Sequence, residues 1–223
     1  MEAKRKFWND QQKQLRAALA KPDTFMEAID LFFQQHAMVH GSQMVQTDLH
    51  SFADEVLTDM SENAIRRIPK NGEHSVAWVI FHIARIEDVV TNRLIAATPQ
   101  VFKSDDWQAR MNSPIHHTAN AMPHAEVVSL SNTLDLEALW AYRIAVGRRT
   151  CDIVNQLQAA DLKRKAEPSG LQQILDDGIV AADAHGIVEY WSRRTIADLL
   201  LMPPTRHNFL HLNEALRIKQ RRQ

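Results

Sequence analysis

Two histidines four residues apart, His207 and His211, follow a double proline in Pro203-Pro204-Thr205-Arg206-His207-Asn208-Phe209-Leu210-His211-Leu212-Asn213-Glu214. Residues i and i+4 share one face of a helix. Two imidazoles at this spacing can hold a divalent ion and lack only a third ligand. The best upstream candidate is His82, within Ser75-Val76-Ala77-Trp78-Val79-Ile80-Phe81-His82-Ile83-Ala84-Arg85-Ile86-Glu87-Asp88. A second pair at the same spacing, His36 and His40, competes for the same role. The His207 pair is not the zinc-protease arrangement, which places a glutamate general base directly after the first histidine; Asn208 stands there. His116, His117 and His124 read as solvated loop residues. His185 and Glu189 form a further i,i+4 pair suited to a surface or a supporting role. Spacing alone leaves both metal-binding pairs open.

These residues need helices to position them. Proline is welcome in a first turn but cannot continue a helix from inside, so a last helix is expected to begin at Pro204 or Thr205. The clearest helix spans about 74–97 and ends before Pro99. Val79, His82, Ile83, Ile86, Val89 and Val90 share one face, which puts His82 on the buried stripe and Arg85 and Asp88 on the charged side. Residues 1–22 read as a peripheral helix or arm, and 23–223 as the main domain. Thr24-x-x-Glu27 has the form of a capping box, opening a helix that carries Phe25, Ile29, Phe32, Phe33, His36, Val39 and His40 and stops at Gly41. Short helical pieces are expected at 52–57 and 62–67, with a turn at Pro69 and Asn71-Gly72. The segment 98–132 is a long connection, of the kind a helix bundle uses for a crossover. A third long helix carries Leu136, Trp140, Ile144, Cys151, Val154 and Leu157. A short one at 171–177 closes on Gly178, and a fourth long helix is expected over 182–201. No strand-like alternation is sustained, so the fold class is all-α.

Composition narrows the function classes. The chain has 223 residues, 45% hydrophobic and 24% charged, and a formal charge of −1. That is enough for one well-cored domain. It gives no electrostatic reason to bind nucleic acid or an anionic membrane. No stretch is long and apolar enough to span a bilayer. The single cysteine, Cys151, rules out an intrachain disulfide framework and suits a reducing, cytoplasmic setting. No glycine-rich phosphate loop occurs.

The order of Ser75-Val76-Ala77-Trp78-(x3)-His82-Ile83-Ala84 and, much later, His207-x-x-x-His211-x-x-Glu214 resembles the DinB-like (YfiT-like) superfamily of metalloenzymes. It is also similar to the DinB-like domain of ergothioneine-forming sulfoxide synthases, whose partner domain is absent here. The resemblance covers roughly 24–219. It implies a four-helix bundle with up-down-down-up connectivity, in which His82, His207 and His211 meet around a divalent ion such as Zn, Ni or Fe, in preference to His36 and His40. It further implies transfer of a low-molecular-weight thiol onto an electrophile, in detoxification or stress response. Glu214 is the candidate to accept a hydrogen bond from a ligand imidazole. Members often pair, and Trp8, Trp107 and Trp191 lie outside the best core stripes, so a homodimer is expected. The rival reading is a metal-free, dimeric helical interaction module without catalytic activity.

Overall fold

The computed structural model describes residues 2–70 and 72–221. Helices are α1 (Glu2–Leu19), α2 (Phe25–Val39), α3 (Phe52–Leu57), α4 (Glu62–Arg66), α5 (Val76–Asp88), α6 (Val101–Ser104) and α7 (Trp107–Arg110). They continue with α8 (His124–Thr133), α9 (Leu136–Gln156), α10 (Pro168–Asp176), α11 (Gly186–Ser192), α12 (Ile196–Leu201) and α13 (Asn208–Gln220). The described residues form no strand, only one isolated bridge between Lys165 and Thr195. The chain is therefore all-α. Among the described residues, no helix is long and apolar enough to cross a membrane.

α5 is the axis of the molecule. Ser75 caps it by accepting a hydrogen bond from the Trp78 amide at 2.9 Å, and a π-helical stretch, Val89–Ile95, prolongs it. All thirteen residues of α5 are buried, because α9 and α13 pack along it and α4, α6 and α8 cover further parts of it. Arg85 and Asp88 are thus not on a solvated face, as their charge suggested. Arg85 pairs with Asp88 at 3.3 Å and donates to the Tyr142 hydroxyl and the His116 carbonyl, so the charges are satisfied inside the protein.

The C-terminal region differs from its sequence reading in a second way. The expected helix over 182–201 is broken at Arg193 and Arg194, and the true element starts at Ile196 behind a Thr195–Asp198 capping box. It does not stop at the prolines. A π-helical stretch, Met202–His207, carries it into α13, so the chain is helical from Ile196 to Gln220. Two prolines withdraw two backbone donors. Thr205 Oγ1 makes good part of the loss by donating to the carbonyls of Leu200 and Leu201 at 3.1 and 2.9 Å, and Gln12 Nε2 adds a bond to Leu201 O at 3.0 Å. The wider π turn spares the ring clash that would break an α-helix.

α1 packs along α2, with the Trp8 indole stacked on Phe209 of α13 at 3.8 Å between ring centroids. Thr24 makes no capping bond to α2; its hydroxyl turns back to the carbonyls of Ala18 and Lys21 and closes the α1–α2 turn instead. Trp8, Trp107 and Trp191 are all buried, so they offer no surface to a second copy. Gly72 donates to the Pro69 carbonyl at 2.8 Å, as a turn there requires; Asn71, read as part of the same turn, lies outside the described residues.

Candidate metal centre

His82 on α5 meets His207, at the end of the π-helical stretch, and His211 on α13. Their ring nitrogens all lie within 4.8 Å of one another and form a group that could hold a metal ion. His82 Nε2 and His207 Nε2 are 3.2 Å apart, and the His207 and His211 ring centroids are 4.6 Å apart, as expected for two imidazoles one turn apart on one helix face.

Two of the three rings are oriented from behind. His82 Nδ1–H donates to the Thr118 carbonyl at 2.7 Å, and His211 Nδ1–H donates to Glu214 Oε2 at 2.9 Å. A proton committed to Nδ1 leaves the lone pair on Nε2, the atom that faces the centre. His207 Nε2 faces inward too, while its buried Nδ1 has no hydrogen-bond partner. Burial, and then the neighbouring His211, pushes His82 down to about 3. Burial, and then His82 and His211, holds His207 well below the usual histidine range. At neutral pH both are the uncharged imidazoles that bind metals. The residues present fit a divalent cation: three imidazole nitrogens converge, and two of the rings are held in orientation from behind.

Glu214 does more than its sequence position suggested. It also accepts from His74 Nδ1 at 2.8 Å, tying the entry of α5 to α13. Burial opposes its charge, but the hydrogen bonds from His211 and His74 outweigh it and hold the carboxyl down at about 2. His74, Trp78 and His82 form one continuous stack, with centroids 3.5 and 4.7 Å apart. Sequence reasoning assigned no role to His74 or Thr118. The spacing 74, 78, 82 is itself helical and marks the first; nothing local marks the second, whose contribution is a backbone carbonyl in a loop.

The three histidines line a cavity of about 620 Å³ whose other walls include His74, Trp78, Met122, Val127 and Asn120. His124 stands at its exposed rim. His185 and Glu189 are on the surface away from it, and Glu189 pairs with Arg193.

The competing pair is also accounted for. His36 and His40 converge on Glu87 in the interior, and these three are spaced so that they too could hold a cation. Glu87 is saturated by hydrogen-bond donors instead. It accepts from His36 Nε2 at 2.7 Å, His40 Nε2 at 3.0 Å, Thr150 Oγ1 at 2.9 Å and Asn208 Nδ2 at 2.6 Å. Both histidine side chains and the carboxylate are fully buried. Even the packing of α9 here is tight: a Cβ on Gly147 would come within 2.7 Å of the His40 ring. The His36–His40–Glu87 cluster reads as a hydrogen-bonded ion pair.

The family model described as DinB superfamily matches residues 50–215, a span that contains His82, His207, His211 and Glu214 and leaves out α1 and α2. The chain belongs to the DinB superfamily. A comparison with curated proteins found no match.

Proposed function

We propose that this chain is a divalent-metal-dependent enzyme that transfers a low-molecular-weight thiol onto an electrophile. The observation that carries the reading is the convergence of three imidazole nitrogens, from His82, His207 and His211, at the wall of an open cavity. His82, His207 and His211 would hold the ion, and three protein ligands leave coordination positions free, as catalytic sites do. A Zn, Ni or Fe ion there supplies Lewis acidity, enough to keep a thiol deprotonated at neutral pH. Thr118 and Glu214 engage Nδ1 of His82 and His211 and so orient the two rings. The edge of Trp78, whose faces are stacked on His74 and His82, joins Met122 and Val127 to exclude water from one side of the cavity and take apolar parts of a substrate. Asn120 and His74 offer polar edges for its orientation.

Elemental analysis of protein purified without added metal or chelator tests the centre, with about one divalent ion per chain expected. Conjugation of N-acetylcysteine to monochlorobimane then tests the reaction, with loss of turnover expected on metal removal and in His82→Ala. A fully folded, metal-free dimer without this activity would instead support an interaction module.

A further inference from the structure

A second cavity opens on the other side of the His36–Glu87 pair. It measures about 400 Å³, lies between α2, the 44–49 segment and α9, and is walled by Phe33, Ala37, Met44, Val45 and Leu49, with Cys151 at its edge. Cys151 is the only cysteine of the chain and is half-buried. Its Sγ lies 3.6 Å from His36 Nδ1, and the other nitrogen of that ring donates to Glu87 Oε1 at 2.7 Å. Thiol, imidazole and carboxylate therefore stand in line. His40, Thr150 and Asn208 hold the carboxylate in place. The proposed metal centre uses neither Cys151 nor His36.

Such a line is how proteins make a thiol nucleophilic: the thiolate is the attacking species, a neighbouring imidazolium stabilises it, and a third group orients the imidazole. We propose that Cys151, activated by His36 and Glu87, is a reactive thiol that forms covalent adducts with uncharged α,β-unsaturated carbonyl compounds bound in the apolar groove. Burial opposes a charge on His36, but the Glu87 carboxylate, helped by Cys151, outweighs it and holds His36 at about 9. The ring is then an imidazolium whose Nδ1–H faces Sγ. The thiol loses its proton to water. The thiolate pair forms the Sγ–C bond at the β-carbon, and the C=C π pair moves onto the carbonyl as an enolate. His36 Nδ1–H protonates the α-carbon and is reprotonated by water. The sum is thiol plus enone giving a thioether, with no oxidant or reductant. The lining also includes Gln34, Gln46, Thr47 and Asn155 but no charged side chain, which suits an uncharged, largely apolar electrophile.

Because the chain has one cysteine, the mass of the intact protein reports this site alone. Full-length protein is labelled with N-ethylmaleimide at pH 6, folded and in concentrated urea, beside N-acetylcysteine. The folded protein is expected to react at least about tenfold faster than the unfolded chain, although unfolding raises accessibility. His36→Gln is expected to lower the folded rate by about tenfold toward that of the model thiol. N-cyclohexylmaleimide should gain over N-ethylmaleimide only in the folded state. Labelling that speeds up or is unchanged on unfolding would show a packed, unactivated thiol and overturn the proposal. That comparison decides even if His36→Gln does not fold. Equal selectivity between the two maleimides in both states would overturn the groove as the binding surface.

Discussion

His207 and Asn208 are neighbours in the chain and face different clusters: His207 Nε2 lies 3.2 Å from His82 Nε2, and Asn208 Nδ2 donates to Glu87 at 2.6 Å. The buried carboxylate of α5 thus holds α13 at the residue next to one candidate ligand and three before the other. Asn208→Ala removes that tie without touching the centre. It is expected to cost about 1–3 kcal/mol in urea unfolding, as for a buried hydrogen bond to a charged group. Metal affinity should drop by roughly tenfold, as when a ligand's support is lost. Unchanged affinity in a chelator competition would show that α13 is positioned by packing alone.

His82→Ala separates ligation from folding. Every other residue of α5 remains buried and the helix keeps its Ser75 cap. The variant should retain its far-UV spectrum and lose its metal in elemental analysis. His36→Ala should keep the metal and lose stability, because it strips a donor from the fully buried Glu87. Breaking a buried pair of this kind costs about 3–5 kcal/mol. Metal retained in the first variant and lost in the second would move the centre to His36, His40 and Glu87.

Stability of the metal-free protein should peak near pH 6.5. His36 is held up at about 9 from its ordinary 6.5. Its contribution is complete below 6.5 and disappears as pH rises through 9, worth about 3 kcal/mol at most. His40 runs the other way. Burial, against the pull of Glu87, pushes it down to about 3. Its contribution is present above 6.5 and is lost as pH falls toward 3. Urea midpoints between pH 5 and 9 should fall on both sides of the maximum, and His36→Gln should flatten the alkaline limb. A midpoint that climbs steadily to pH 9 in the parent protein contradicts the ion pair.

The parts of this molecule legible in the sequence are those with local signatures. The periodicity of α2, α5 and α9 marked them as long helices, and the DinB-like resemblance tied His82 to His207 and His211, which spacing alone had left in competition with His36 and His40. The buried polar layer was not legible. Arg85 and Asp88 look like a solvated face, because charge next to apolar residues usually means surface. Their burial depends on Tyr142 and the His116 carbonyl, which arrive from far along the chain. Thr118 acts on His82 through a carbonyl that any residue would supply. The sequence suggests a helix start at Pro204 or Thr205, because a π turn relieved by a threonine hydroxyl has no strong sequence mark.

Glu214 is predicted to act on the centre through His211 alone and on the fold through His74. Glu214→Gln retains one acceptor but loses the charge that holds two imidazoles at 2.9 and 2.8 Å. Metal affinity should fall by about 10–100-fold, the usual range for the carboxylate behind a ligating histidine. His74→Ala should leave affinity within about threefold, since His74 is not among the converging nitrogens, and should lower the unfolding midpoint instead. Equal losses of affinity in both variants would mean that the His74–Glu214–His211 chain acts as one unit.

Trp8 gives the sharpest test of whether α1 is an arm or part of the packed body. Its ring is 1% exposed and lies nearly parallel to Phe209, 7° between planes, while its carbonyl accepts from the buried Gln35 side chain at 3.1 Å. Phe209 sits between His207 and His211, so α1 backs the helix that carries both. Trp8→Ala should cost about 3–5 kcal/mol in equilibrium urea unfolding, as for a large buried aromatic. Trp8→Phe keeps the stack and should recover about half of that loss. A cost below about 1 kcal/mol would mean that α1 lies loosely on the surface. The alanine variant should also bind metal less tightly, because Phe209 then loses the ring that fixes its side of α13.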